Sequence, residues 1–253
     1  MSCGRRFTLK PWLRNKMHDW FQVFLLTAFA GLAMPFGAVL AGVEHIKYDW
    51  LQTEVRHGVL AFGGGALLSA IALVLIPEGV AHLSIAGVVI AFLAGGFTFA
   101  SLDVYLSGHD SPMSQLVAML SDFLPEAVAL GAAIAMGNDA GILLAMLMAL
   151  QNVPEGFNAF RELKDSAMVR GRVIVATFIV LAALGPVCGL VGFYWLVDYP
   201  TVVAVLMVFA AGGILYIVFG DIAPQAKLEK HWLPPMGAVL GFLLGVVGQM
   251  VVG

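Results

Sequence analysis

Long apolar runs, each interrupted by only a few polar positions, recur along the whole chain. Eight can be drawn, at about 20–43, 58–81, 84–106, 113–137, 140–162, 171–196, 201–226 and 233–253. Apolar residues follow one another without strand-like alternation, which predicts helices. Each run is close to the roughly 20 residues a helix needs to cross a bilayer core of about 30 Å. In lipid only helices and closed barrels satisfy their own backbone. The pattern therefore predicts an all-α polytopic membrane protein with eight transmembrane helices, built as a single transmembrane domain over residues 1–253. The connections are short, and none reads as a separate soluble domain.

Composition strengthens this reading. Of 253 residues, 60% are apolar and 11% charged, against roughly a quarter charged in a soluble domain. A water-soluble globular class is excluded on that contrast. Cys3 and Cys188 form no CxxC and no framework, so they say nothing of redox compartment. The N-terminal "MSCGRRFTLKPWLRNKMHDW" is similar to the basic start of a signal peptide. The apolar run that follows is longer than an h-region of about 7–15 residues, so a retained helix is expected.

The 13 Lys and Arg residues are unevenly placed. Arg5, Arg6, Lys10, Arg14 and Lys16 precede the first run. Lys47 and Arg56 follow it, Arg161, Lys164, Arg170 and Arg172 lie around the fifth-to-sixth connection, and Lys227 and Lys230 follow the seventh. Connections two–three, four–five and six–seven carry none. Positive charge marks the cytoplasmic side, so both termini are expected on the outer side. The basic N-terminal tail argues the other way and is outnumbered by the loop charges.

Polar chemistry concentrates in the fourth and fifth runs, at "DFLPEAVALG" and "QNVPEGFNAF". Asp122 and Glu126 are four apart, as are Gln151 and Glu155, so each pair shares one helical face. A short turn near "GND" (137–139) makes the two helices antiparallel neighbours. Measured from Asn138, Glu126 and Asp122 lie roughly 18 and 24 Å away, Gln151 and Glu155 roughly 20 and 26 Å, at about 1.5 Å per residue. All four occupy one layer, and Asn152, about 100° around the helix from Gln151, can border it. Pro125 and Pro154 each precede a glutamate and free the carbonyls of Ser121 and Leu150. Either proline alone could serve packing; two at matching depth beside carboxylates point to a site.

An ionised side chain at mid-bilayer costs about 2.5–3.5 kcal/mol. Three carboxylates with no basic partner in any predicted helix interior must be protonated or bound to a cation. A proton relay explains the acids but not the amides Gln151 and Asn152; a divalent cation held by oxygens explains both. Glu78 in "LIPEGV" and Asp221 in "VFGDIAPQ" would flank the layer on opposite sides, either as pathway carboxylates or as interfacial ones in headgroup water. Asp103 reads as interfacial. His18, His45, His57, His82, His109 and His231 fall in tails, loops or helix ends and read as solvated. Gly237, Gly241 and Gly245 form a small-xxx-small stripe that serves internal packing or a homodimer face.

These motifs resemble the ZIP family of divalent metal-ion transporters. "QNVPEG" matches the family's fifth-helix pattern throughout; "DFLPEA" keeps the Pro-Glu core but has Asp122 and Phe123 where histidine and asparagine usually stand. "IPEG" and "AAGGILYIVFGDIAP" also look like the family, and the likeness covers nearly the whole chain. The resemblance implies eight helices, outer termini and metal ligation by Asp122, Glu126, Gln151, Asn152 and Glu155, with Asp221 along the exit. Gly185 stands where some members have a glutamate, and "SGHDSP" is too short for a histidine-rich loop. A second metal site is therefore not expected. With Asp122 in place of an imidazole the layer is oxygen-only, favouring Mn²⁺ or Fe²⁺ relative to Zn²⁺.

The expected function is a secondary transporter moving divalent metal cations toward the cytoplasm, the metal being substrate and no cofactor being required. The alternative is a non-transporting, metal-binding relative acting as sensor or scaffold. An enzyme would need a nucleophile or activated water beside the metal. Ser121 is the nearby hydroxyl and nothing orients it, so no enzymatic activity is expected. The expected partners are the lipid bilayer and the cation, not nucleic acid, and compactness points to a bacterial plasma (inner) membrane.

Overall fold

The structure, a computed structural model, describes residues 11–43, 49–107, 112–137, 140–167, 170–226 and 232–252. At 11–18, 49–53, 106–107, 112–115, 118, 140, 165–167 and 252 it describes the backbone alone. Arg5, Arg6, Lys10, His45, Lys47, His109, Asn138, Lys227, Lys230 and His231 lie outside the described residues, as do the side chains of Arg14, Lys16 and His18.

Among the described residues there is no strand, and eight helical rods follow the eight apolar runs. They are α1 (Pro11–Val43), α2 (Asp49–Ala70, a π turn Ile71–Leu75, then Ile76–Val80), α3 (Ile85–Ser107) and α4 (Pro112–Ala135). The second half comprises α5 (Ala140–Ala167), α6 (Gly171–Ala182, Leu184–Val191 and a π turn Gly192–Leu196), α7 (Pro200–Ile217, a π turn Val218–Ile222, then Ala223–Ala226) and α8 (Leu233–Val252). Several ends differ from the expected spans. α1 starts at Pro11 rather than 20, α2 at Asp49 rather than 58, and α5 runs to Ala167 rather than 162. An apolar run reports depth in lipid, whereas a helix continues through charged residues of good propensity until its hydrogen bonding is interrupted. Arg56 and Lys164 consequently stand on helices, not in connections.

Two of the three π turns described have a local cause. Pro77 and Pro224 follow these two, and each proline removes the amide hydrogen bond to the fourth residue before it. Widening the helix by one residue relieves the clash of the ring with that carbonyl. Gly137 closes α4 at φ 72°, a left-handed conformation that a residue with a Cβ rarely adopts.

Six rods are long and apolar enough to cross a membrane: α1, α2, α3, α6, α7 and α8. The other two, α4 and α5, carry the polar side chains and form the centre of the bundle. Leu130, Leu143, Leu144, Leu147 and Met148 on them are fully buried. α3, by contrast, is largely exposed along its apolar length, with Ile90, Phe97 and Val104 each about 70% accessible. Exposed apolar side chains on the outer rods and polar ones at the centre are the arrangement that lipid, not water, requires.

Glycines divide the rods into two groups. α1 lies backbone to backbone on α5, where a Cβ on Gly156 would stand 2.8 Å from Met34 Cα. α4 meets α6 in the same way at Gly131 and Gly189. In the second group, α3 meets α7 at Gly95 and Gly212, and α2 meets α8 at Gly65 and Gly241. Gly237, Gly241 and Gly245 all face α2, so the small-residue stripe of α8 serves internal packing. Between the groups the glycine contacts are to side chains instead: Gly63 of α2 faces Pro154, and Gly248 of α8 faces Leu143. The α1–α4–α5–α6 group is thus keyed tightly within itself and meets the α2–α3–α7–α8 group through softer side-chain surfaces.

Candidate metal centre

Seven polar or charged side chains are buried among the described residues: Thr27, Ser69, Asp122, Glu126, Gln151, Asn152 and Asn158. Two are hydroxyls satisfied by their own helices, Thr27 on Val23 O at 2.7 Å and Ser69 on Ala66 O at 2.7 Å. The remaining five all belong to α4 and α5. Continuous helix carries both prolines, Pro125 and Pro154, neither of which has an N–H to give the carbonyl one turn back.

Gln151 ties the two helices together, its Nε2 donating to Glu126 Oε2 at 2.8 Å. Asp122 accepts from the backbone N–H of Phe123 at 2.9 Å. Glu155 lies within electrostatic reach of both Asp122 and Glu126. Asp122, Glu126, Gln151 and Glu155 therefore converge on one layer. Asn152 is tied to α1, its Nδ2 donating to Ala30 O at 2.8 Å, while its Oδ1 is buried without a partner. No three His, Cys, Asp or Glu side chains among the described residues are gathered into a ready-made cage. The layer combines separated carboxylates with amides.

Every buried side-chain atom lacking a hydrogen-bond partner among the described residues lies in this region. They are Glu126 Oε1, Gln151 Oε1, Asn152 Oδ1, both oxygens of Glu155, and both polar atoms of Asn158. An orphan buried polar atom costs about 1–3 kcal/mol. Together these would be comparable with a domain's whole net stability of about 5–15 kcal/mol. Six of the seven are oxygens, the donor type of a hard cation.

A cavity of about 60 Å³ adjoins the layer, lined by Asp122, Glu155, Asn158, Glu162, Asp221 and Gln225 among others. That volume admits a cation with a few waters. Asp221 stands exposed at its mouth and is bonded by the Gln225 amide. Glu162 lies within reach of Asp221 and of Arg56, a basic partner at the mouth. On the other side of the layer, Leu130, Leu144, Leu147 and Met148 pack without exposure above 1%. The polar space thus opens toward Asp221 and is closed in the opposite direction.

Glu78 lies outside this cavity, toward the opposite end of its rod from Leu60. Its neighbour Gly79 packs on Ala204 and Val208 at the start of α7, whereas Leu60 on the same rod lines the cavity. Eighteen residues of helix at about 1.5 Å each separate them by roughly 27 Å. Asp103 accepts a hydrogen bond from Tyr216 at 2.9 Å and ties α3 to α7. His82 is exposed. Asn158 and Glu162 were not among the expected residues. Their signal is the spacing: Gln151, Glu155, Asn158 and Glu162 stand at i, i+4, i+7 and i+11, one polar stripe down α5.

Phe123 is fully buried beside Asp122. Its ring is seated in a cradle of two glycines, with Cζ 3.1 Å from where a Cβ on Gly31 would stand and 2.6 Å from one on Gly185. Gly185 leaves room for the ring, and the ring closes the α1–α6 side of the layer. No protein-family model matches the chain, and no curated protein is significantly similar to it.

Proposed function

We propose that the chain is a secondary transporter of divalent metal cations, with ZIP-like organisation, in which all eight rods span the membrane and both termini lie on the outer side. The carrying observation is the cluster of orphan oxygens on α4 and α5 beside an acid-lined cavity. Asp122, Glu126, Gln151 and Glu155 would hold the ion as transported substrate, with Asn158 completing the wall toward the exit. Glu162 and Asp221 would draw the cation along the cavity by charge. With the α7 end cytoplasmic, as the basic connections suggest, the ion leaves toward the cytoplasm. α4 and α5 cross the membrane screened from lipid by the other rods, which accounts for their tolerance of polar side chains. The two glycine-keyed groups supply surfaces able to slide past each other, as alternating access requires. A bacterial plasma membrane is the proposed host.

Uptake of ⁵⁴Mn²⁺ or ⁶⁵Zn²⁺ into proteoliposomes containing the purified chain tests the reading. Wild type is expected to accumulate metal, and Glu155→Gln to lose at least about tenfold in rate, because an amide cannot neutralise the ion's charge. Metal binding without any uptake would favour a sensor or scaffold instead.

A further inference from the structure

Away from the carboxylate layer, the end of α1, the end of α5 and the start of α6 enclose an open cleft of about 730 Å³. Its walls include Val39, Val43, Val175 and Ile179, and its floor is the ring of Phe160, which is only 3% exposed. Gly42 and Gly171 lie directly against that ring, where a Cβ would stand 3.3 and 2.9 Å from its Cζ. Lys164 and Arg172 line the cleft, both exposed, and among the described residues no carboxylate lines it. Lys164 is held over the cleft floor, Nζ 5.8 Å from the Phe160 ring centroid.

The depth of the cleft defines what can fill it. The membrane-compatible part of α1 ends at Val43 and that of α6 begins at Gly171, so the cleft sits where two spans leave the apolar core. Its valines and isoleucine face the hydrocarbon side, while its two cations stand at the level of lipid headgroups. A small anion would satisfy the cations and leave the apolar walls bare. A neutral lipid would do the reverse. The groove between α1, α5 and α8, about 800 Å³, is lined by apolar residues alone and selects no headgroup.

We propose that this cleft is a binding site for an anionic phospholipid, its phosphate on Lys164 and Arg172 and one acyl chain along Val39, Val175 and Ile179. Juxtamembrane basic residues attract anionic headgroups, and basic pockets between membrane helices are suited to them. The site uses no residue of the carboxylate layer and does not depend on what the layer carries.

Native mass spectrometry of the full chain in mild detergent, titrated with phosphatidylglycerol or phosphatidylcholine of identical acyl chains, tests the proposal. Phosphatidylglycerol should be retained about tenfold better. The preference should vanish in the double variant K164Q/R172Q and persist in K227Q/K230Q, which removes the same charge elsewhere. A176W, which fills the cleft and leaves its charges, should also reduce retention. Equal retention of the two lipids by wild type would overturn the proposal, as would equal loss of preference in the two charge variants. Displacement of the lipid by millimolar inorganic phosphate, with A176W behaving as wild type, would reduce the site to one for free anions and overturn it too.

Discussion

The side-chain amide of Gln151 donates to the carboxylate of Glu126 across the α4–α5 boundary at 2.8 Å, leaving one oxygen of each residue buried and unclaimed. This bond fixes the relative height of the two helices and aims the residual lone pairs into the layer. It is the one direct side-chain link between α4 and α5 among the hydrogen bonds described.

Gln151→Ala should therefore act on stability and on metal together. Without the amide, both Glu126 oxygens are orphaned, at a cost of about 1–3 kcal/mol in the metal-free protein. Added Mn²⁺ should recover most of that loss, since a ligand that binds only the folded state stabilises it by mass action. Thermal unfolding in detergent, with chelator and with excess Mn²⁺, reads both effects. A variant as stable as wild type under chelation would show that the bond carries no weight.

Asp122 should tune the choice of ion. The layer presents oxygen donors, and replacing its one aspartate by imidazole introduces a nitrogen that suits Zn²⁺ better than Mn²⁺. Competition uptake should shift toward Zn²⁺ by about tenfold in Asp122→His. If wild type already prefers Zn²⁺ strongly over Mn²⁺, the proposed preference for harder ions is wrong.

The glycine contacts predict which small substitutions the fold rejects. A Cβ on Gly156 would press on the α1 backbone at Met34, where nothing flexible can yield. Gly156→Ala should destabilise by about 1–3 kcal/mol. Gly87→Ala, near the start of α3, meets nothing nearer than Ser84 Oγ at 3.5 Å and should be neutral or slightly stabilising. Melting temperatures of the two variants, measured side by side, decide this; comparable losses would count against backbone-to-backbone packing of α1 on α5.

Much of this was legible in the residues, for identifiable reasons. Continuous apolar runs encode the rods directly, and the four-residue spacing of Asp122–Glu126 and Gln151–Glu155 encodes their common faces. Helix ends were less legible because Arg56 and Lys164 interrupt hydropathy without interrupting a helix. The direction of Asn152 depends on the Ala30 carbonyl, more than a hundred residues away, which no local pattern reveals. Likewise Phe123 stood out as the residue in place of an asparagine, but its seat between Gly31 and Gly185 arises only when α1, α4 and α6 meet. Asn158 and Glu162 were within reach, since the stripe from Gln151 simply continues for two more turns.

The packed leucines and methionine on the far side of Glu126 carry a consequence for speed. A vestibule with a single doorway is an airlock, not a hole: whatever drifts in past Asp221 goes back out the same way until the opposite wall parts. In the proposed transporter, throughput would then follow the slow collective rearrangements of helices, on the microsecond-to-millisecond scale, instead of free diffusion. A bilayer housing this chain should accordingly show no unitary current steps, however steep the gradient across it.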